Sequence, residues 1–151
     1  MSDIKNILFA EDSPQDVEMT LAALAEHNLA NEVVVVDDGE GVLEYLYYQG
    51  RFAARPVGNP AFILLDLKMP KVDGLEVLRR IKKDPKLSSI PVVMLTSSRE
   101  EMDLAKSYEL GANAYVVKPI DFPSFIDAVK QLGIFWAIHN QPPPDSVRKR
   151  S

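Results

Sequence analysis

Phe62-Ile63-Leu64-Leu65-Asp66-Leu67-Lys68-Met69-Pro70 is the stretch that decides how this chain folds. Four apolar residues follow one another without alternation and end on a carboxylate. A strand with one wet face alternates apolar and polar residues. One that is apolar throughout is buried on both faces, as in a parallel sheet covered by helices. Val92-Val93-Met94-Leu95 repeats the pattern and ends on Thr96. Working outward, apolar runs at 4–10, 32–36 and 114–117 join those at 61–65 and 91–95 as candidate strands.

Helical signals fill the intervals. Ser13 is placed to cap a first helix, Pro14 suits its first turn, and Asp16 completes a Ser-x-x-Asp capping signal. Val17, Leu21 and Leu24 then share one face. A second helix is expected over 39–48. A third follows Asp73-Gly74, carries Leu75, Leu78 and Ile81 on one stripe and stops before Pro85. A fourth is expected over 99–110 with Gly111 as its stop, and a last one over 122–138. Strand and helix thus alternate five times, which predicts an α/β fold with a doubly wound parallel sheet. Residues 49–59, with two glycines and Pro56, are expected as a surface loop. Residues 1–140 are expected to form one domain. The tail 141–151, with three consecutive prolines and then Arg148-Lys149-Arg150, is expected to be disordered.

Composition narrows the function. The chain has 151 residues, 46% hydrophobic and 26% charged, as a single soluble domain would. A net charge of -5 argues against nonspecific nucleic-acid binding, which needs cations to displace counterions. There are no cysteines, and His27 and His139 are too few for a histidine-based zinc site and are read as solvent-facing. No apolar run is long enough for a membrane span, and the first residues lack the apolar core of a signal peptide. A cytoplasmic location is expected.

The residues that end the strands carry the chemistry. They are Glu11-Asp12, Asp66, Thr96 and Lys118. Ligands of open α/β sheets bind beyond the carboxyl ends of the strands, where the order reverses. Each residue has an ordinary reading alone: Asp66 as a helix cap, Glu11 and Asp12 as acids near a helix start, Thr96 as a β-branched strand residue, Lys118 as a surface lysine. Together they bring three carboxylates, a hydroxyl and one ammonium into one crevice. Carboxylates that close repel one another, and Lys118 supplies only one compensating charge. An oxygen-only donor set with vacant positions suits Mg²⁺, and a carboxylate beside it can act as a nucleophile toward phosphorus.

Glu11-Asp12-Ser13, Leu64-Leu65-Asp66-Leu67-Lys68-Met69-Pro70, Asp73-Gly74, Leu95-Thr96-Ser97 and Tyr115-Val116-Val117-Lys118-Pro119 occur in order across residues 4–138. In these motifs the chain resembles the receiver domains of two-component response regulators. The resemblance implies the flavodoxin-like strand order 2-1-3-4-5, of which this same family is a standard example. It implies that Asp66 accepts a phosphoryl group from a sensor histidine kinase. Mg²⁺ would be held by Asp12, Asp66 and the Lys68 backbone carbonyl, with Glu11 acting through water. Lys118 would pair with the phosphoryl oxygens and Thr96 would hydrogen-bond one of them. Pro119 would follow a cis peptide, Gly74 would admit the tight backbone after Asp66, and Tyr115 would be the switch aromatic. The chain would be a phosphorylated switch that catalyses only its own phosphoryl uptake and hydrolysis. Lys68 and Ser98 occupy positions that tune dephosphorylation in the family.

A narrower resemblance lies in the loop 49–60, the Lys71 loop and Phe135-Trp136, which are similar to stand-alone regulators paired with bacterial phytochromes. It implies a bacteriophytochrome kinase as donor and an unidentified downstream protein as reader, or else a role as phosphate sink for a shared kinase. The apolar run 132–138, with Phe135 and Trp136, is expected to exceed what one sheet face covers and to serve a homodimer. Two other readings compete. A phosphatase of the haloacid dehalogenase type would need a second acid two residues after Asp66, where Lys68 stands. A receiver relative that never takes phosphate would lack one of the acids or the lysine.

Overall fold

In the computed structural model the described residues are 6–26, 33–69, 71–97 and 111–118, with Pro123 and Asp127. The expected fourth and last helices, the tail, His27, His139, Ser98, Pro119, Phe135 and Trp136 lie outside them.

Five parallel strands form one sheet in the order β2-β1-β3-β4-β5: β1 (Ile7–Ala10), β2 (Val33–Val36), β3 (Phe62–Asp66), β4 (Val92–Thr96) and β5 (Ala114–Val117). This is the flavodoxin-like order. Every residue of β1, β3 and β4 is buried, as their unbroken apolar sequence requires. The alternating faces feed two cores. Leu8, Ala10, Ile63, Leu65, Val92 and Met94 pack with the helices α2 (Gly39–Leu46) and α3 (Gly74–Lys83). Ile7, Phe9, Phe62, Leu64, Val93 and Leu95 pack with Leu24, Val17 and Leu21 of α1 (Pro14–Glu26).

Helix starts follow the local chemistry. The Asp16 N–H donates to Ser13 Oγ at 3.2 Å, Gly41 N–H to Asp38 Oδ1 at 2.7 Å, and Glu76 N–H to Asp73 Oδ1 at 2.9 Å. The cap of α3 is therefore Asp73, which leaves Asp66 free of that duty.

Several expectations need correction. β1 begins at Ile7 rather than residue 4, because Asn6 already lies outside the strand. α2 ends at Leu46, and Tyr48 takes φ +56, incompatible with continuing the helix. On α3 the buried stripe is Val77, Leu78 and Ile81, with Leu75 only half-buried. The segment 49–59 lies at the surface as expected, with none of its residues buried, but it is not without structure. It contains a short 3-10 turn at Gly50–Phe52, and the Arg55 guanidinium stacks on Tyr45 and Tyr48, 3.8 and 4.0 Å from the ring centroids.

No helix among the described residues is long and apolar enough to cross a membrane.

Candidate functional site

Parallel pairing puts the carboxyl ends of β1, β3, β4 and β5 on one edge. Ala10 lies opposite Leu65, Asp66 opposite Leu95, and Thr96 opposite Val117. Between β1 and β3 the chain order reverses, because β1 is flanked by β2 on its other side. The crevice that opens there is where such sheets take ligands. Glu11 and Asp12 enter it directly after β1, Asp66 is the last residue of β3, Thr96 the last of β4, and Lys118 the first after β5.

The structure brings these residues together. One carboxylate oxygen each from Glu11, Asp12 and Asp66 lie within 4.8 Å of one another. Glu11 is 1% exposed and Asp66 5%, whereas Asp12 is open to solvent. Lys118 Nζ donates to Glu11 Oε1 at 3.1 Å and lies 3.5 Å from Asp66 Oδ2. The Ser13 N–H donates to Glu11 Oε2 at 3.2 Å, and the Lys68 N–H reaches Asp66 Oδ1 at 3.4 Å. The hydroxyl Oγ1 of Thr96, a residue 1% exposed, has no hydrogen-bond partner among the described residues. A buried hydroxyl without a partner forfeits free energy unless something arrives to use it.

Electrostatics follow from burial and crowding. Glu11 is pushed up to about 7, first by burial, then by the hydrogen bond and charge of Asp66, against the pull of Lys118 and the Ser13 N–H. Asp66 is also raised, mainly by burial and further by Asp12, with Glu11, Lys118 and the Lys68 N–H opposing. Burial alone would lower Lys118, but its bond to Asp16, the charge of Asp66 and its bond to Glu11 raise it above the ordinary lysine value. The crevice therefore holds more negative charge than its lysine can balance. Three all-oxygen donors at this spacing fit a hard divalent cation such as Mg²⁺ or Mn²⁺.

Gly74 has a clear physical reason. A Cβ there would collide with the backbone carbonyl of Asp66 and come within 2.9 Å of the Leu67 carbonyl. Only a residue without a side chain lets α3 start so close to the end of β3. The Gly74 N–H also donates to the Leu67 carbonyl at 3.0 Å. Tyr115 is half-buried and packs against the α2–α3 core.

Sequence reasoning misses Asp16. Its pattern marks it as half of a capping box, yet the Ser13 N–H donates to Glu11 instead, and the Asp16 carboxylate accepts from Lys118 Nζ at 3.1 Å. The signal is its place on the first turn of α1, one turn beyond Asp12. Only the packing of that turn against the end of β5 reveals the pairing.

A parallel sheet in this order, with acids after β1 and at the end of β3 and a lysine after β5, defines a receiver. The family model for the response regulator receiver domain matches residues 7–130, and the chain belongs to that family. Its relatives narrow the kinship to phytochrome response regulators. The bacteriophytochrome response regulator RtBRR is 59% identical, with a TM-score of 0.85 over 96% of this chain and 87% of that one. AtBRR, another bacteriophytochrome response regulator, is 57% identical, with a TM-score of 0.86 over 90% of this chain and 97% of that one. Response regulator Rcp1 of Synechocystis sp. is 39% identical over 140 residues, 90% of this chain and 94% of its own length. A structure of Rcp1 in its Mn²⁺-bound form superposes with a TM-score of 0.70 at 38% identity, over 87% of this chain and 92% of that one.

Proposed function

We propose that this receiver is a phosphorylation-controlled switch in which Asp66 accepts a phosphoryl group from the phosphohistidine of a sensor histidine kinase. The observation that carries the reading is the crowding of Glu11, Asp12 and Asp66 within 4.8 Å beside Lys118 and the unpartnered Thr96 hydroxyl. Glu11, Asp12, Asp66 and the Lys68 backbone carbonyl would hold Mg²⁺. When bound, the cation neutralises the carboxylates and polarises the phosphoryl oxygens.

The residues of the chain do the rest. Asp66 Oδ attacks phosphorus as the P–N bond to the kinase imidazole breaks, and the ring, already protonated on its other nitrogen, keeps that electron pair and leaves as neutral imidazole. Lys118 turns donors toward the phosphoryl oxygens. Thr96 gains the hydrogen bond it lacks. Phosphorylation adds about two negative charges and three acceptors. Those new bonds bias a pre-existing equilibrium, with Tyr115 beside Met94 as the reporter of Thr96 movement. The switch is read by a downstream protein. The kinship to bacteriophytochrome response regulators makes a phytochrome-linked kinase the favoured donor. The apolar run 132–138, with Phe135 and Trp136, favours a homodimer. Residues 1–140 would form the receiver and 141–151 a tail.

The test is phosphotransfer from a panel of purified histidine kinases, bacteriophytochromes included. Label should reach the wild type only with Mg²⁺ present and never reach a folded Asp66→Asn variant. Label on that variant at wild-type levels would overturn the acceptor assignment.

A further inference from the structure

We propose that Asp16 is a positioning residue that sets the balance between the metal and the phosphoryl group by holding Lys118. This rests on the proposed function and deepens it. Lys118 Nζ has three donors and three carboxylate neighbours: Glu11 at 3.1 Å, Asp16 at 3.1 Å and Asp66 at 3.5 Å. Two of those carboxylates, Glu11 and Asp66, belong to the cluster that fits a divalent cation, and Asp16 does not. Among the described residues, Asp16 is thus the one carboxylate neighbour of Lys118 that metal binding leaves un-neutralised.

Its location makes it a fixed anchor. Asp16 sits on the first turn of α1, where its own N–H is tied to Ser13 Oγ at 3.2 Å. Its side chain is 35% exposed against 1% for Glu11 and 7% for Asp66, so it is the most solvated of the three carboxylates around the ammonium. From there it draws the lysine charge away from Glu11 and Asp66 and adds negative charge of its own. Both effects favour a cation at the three carboxylates. Both also oppose a phosphoryl group, since the anion is repelled and must compete for Lys118. Removing the Asp16 charge should therefore move the two affinities in opposite directions. A merely structural role would weaken both or neither.

The experiment uses the full chain with beryllofluoride as phosphoryl mimic, titrated at saturating Mg²⁺ and read by fluorine NMR. Mg²⁺ alone is titrated separately by calorimetry. Asp16→Asn should bind beryllofluoride about two- to fivefold more tightly, the range of a partly exposed ion pair. It should bind Mg²⁺ alone more weakly by a similar factor. In a Lys118→Met background the same substitution should lose most of its effect on beryllofluoride. Asp16→Glu, which keeps the charge, should stay near wild-type affinities and guards against an unfolded Asn variant. Unchanged or weaker beryllofluoride binding by Asp16→Asn, or an undiminished gain without Lys118, overturns the inference and leaves the proposed function standing. A wild-type protein that binds no beryllofluoride overturns both.

Discussion

Replacing Glu11 by Gln in the metal-free protein should make it more stable above neutral pH, although an acid that contacts a lysine is being removed. Glu11 is 1% exposed, and its carboxyl is pushed from 4.5 up to about 7 by burial and by Asp66. The folded state therefore holds a proton that the unfolded chain releases between those two values. Stability tracks the difference in bound protons, so it falls as pH rises through this window and is lower by a constant amount above it. A gap from 4.5 to about 7, at about 1.4 kcal/mol per pH unit, sets a ceiling of roughly 3–4 kcal/mol. Asp66 is raised in the same crevice and shares the titration, which lowers the cost assignable to Glu11 to about 1–3 kcal/mol. Glutamine mimics the protonated acid, so the variant and the wild type should match near pH 4, below the unfolded value of 4.5. At pH 8 the variant should be more stable by that amount. Urea unfolding in chelator at both pH values measures it. Addition of Mg²⁺ should reverse the order, because the wild type gains binding energy that the variant forgoes. Equal stabilities at pH 8 without metal would refute the claim that the crevice is over-acidic.

Other substitutions test separate parts of the account. Thr96→Val removes a buried hydroxyl that has no partner among the described residues, so chemical denaturation should show no loss and up to about 1 kcal/mol of gain, while beryllofluoride affinity drops. Gly74→Ala forces a methyl against the carbonyls of Asp66 and Leu67, and thermal unfolding should show a loss of about 2 kcal/mol or more. Lys82 donates to the carbonyls of Ser88 at 3.1 Å and Ile90 at 2.9 Å, and to Asn113 Oδ1 at 3.3 Å. Lys82→Met should therefore cost about 1–3 kcal/mol in denaturant titration without changing Mg²⁺ affinity.

The sheet is legible because burial on both faces leaves an unbroken apolar run, and Phe62-Ile63-Leu64-Leu65 and Val92-Val93-Met94-Leu95 both form fully buried strands. The convergence of Glu11, Asp12, Asp66, Thr96 and Lys118 is legible for a related reason: strand ends of a parallel sheet share one edge. What the sequence hides depends on packing between elements distant along the chain. Asp16 carries a capping signature that is correct for its backbone, yet its carboxylate is claimed by a lysine more than a hundred residues away. Leu75 fits the apolar stripe of α3 by periodicity, but the sheet meets the neighbouring face through Val77. Residues 49–59 read as a surface loop, and only the approach of Tyr45 and Tyr48 shows Arg55 within it as a stacked anchor.

The most direct test of the central claim is a calorimetric titration of Mg²⁺ into the purified chain, paired with thermal unfolding of the same samples. The account predicts a single site per chain, a rise in unfolding temperature with Mg²⁺ concentration, and loss of both in Asp12→Ala. A wild-type protein that takes up no Mg²⁺ and unfolds at the same temperature with or without it would contradict the account.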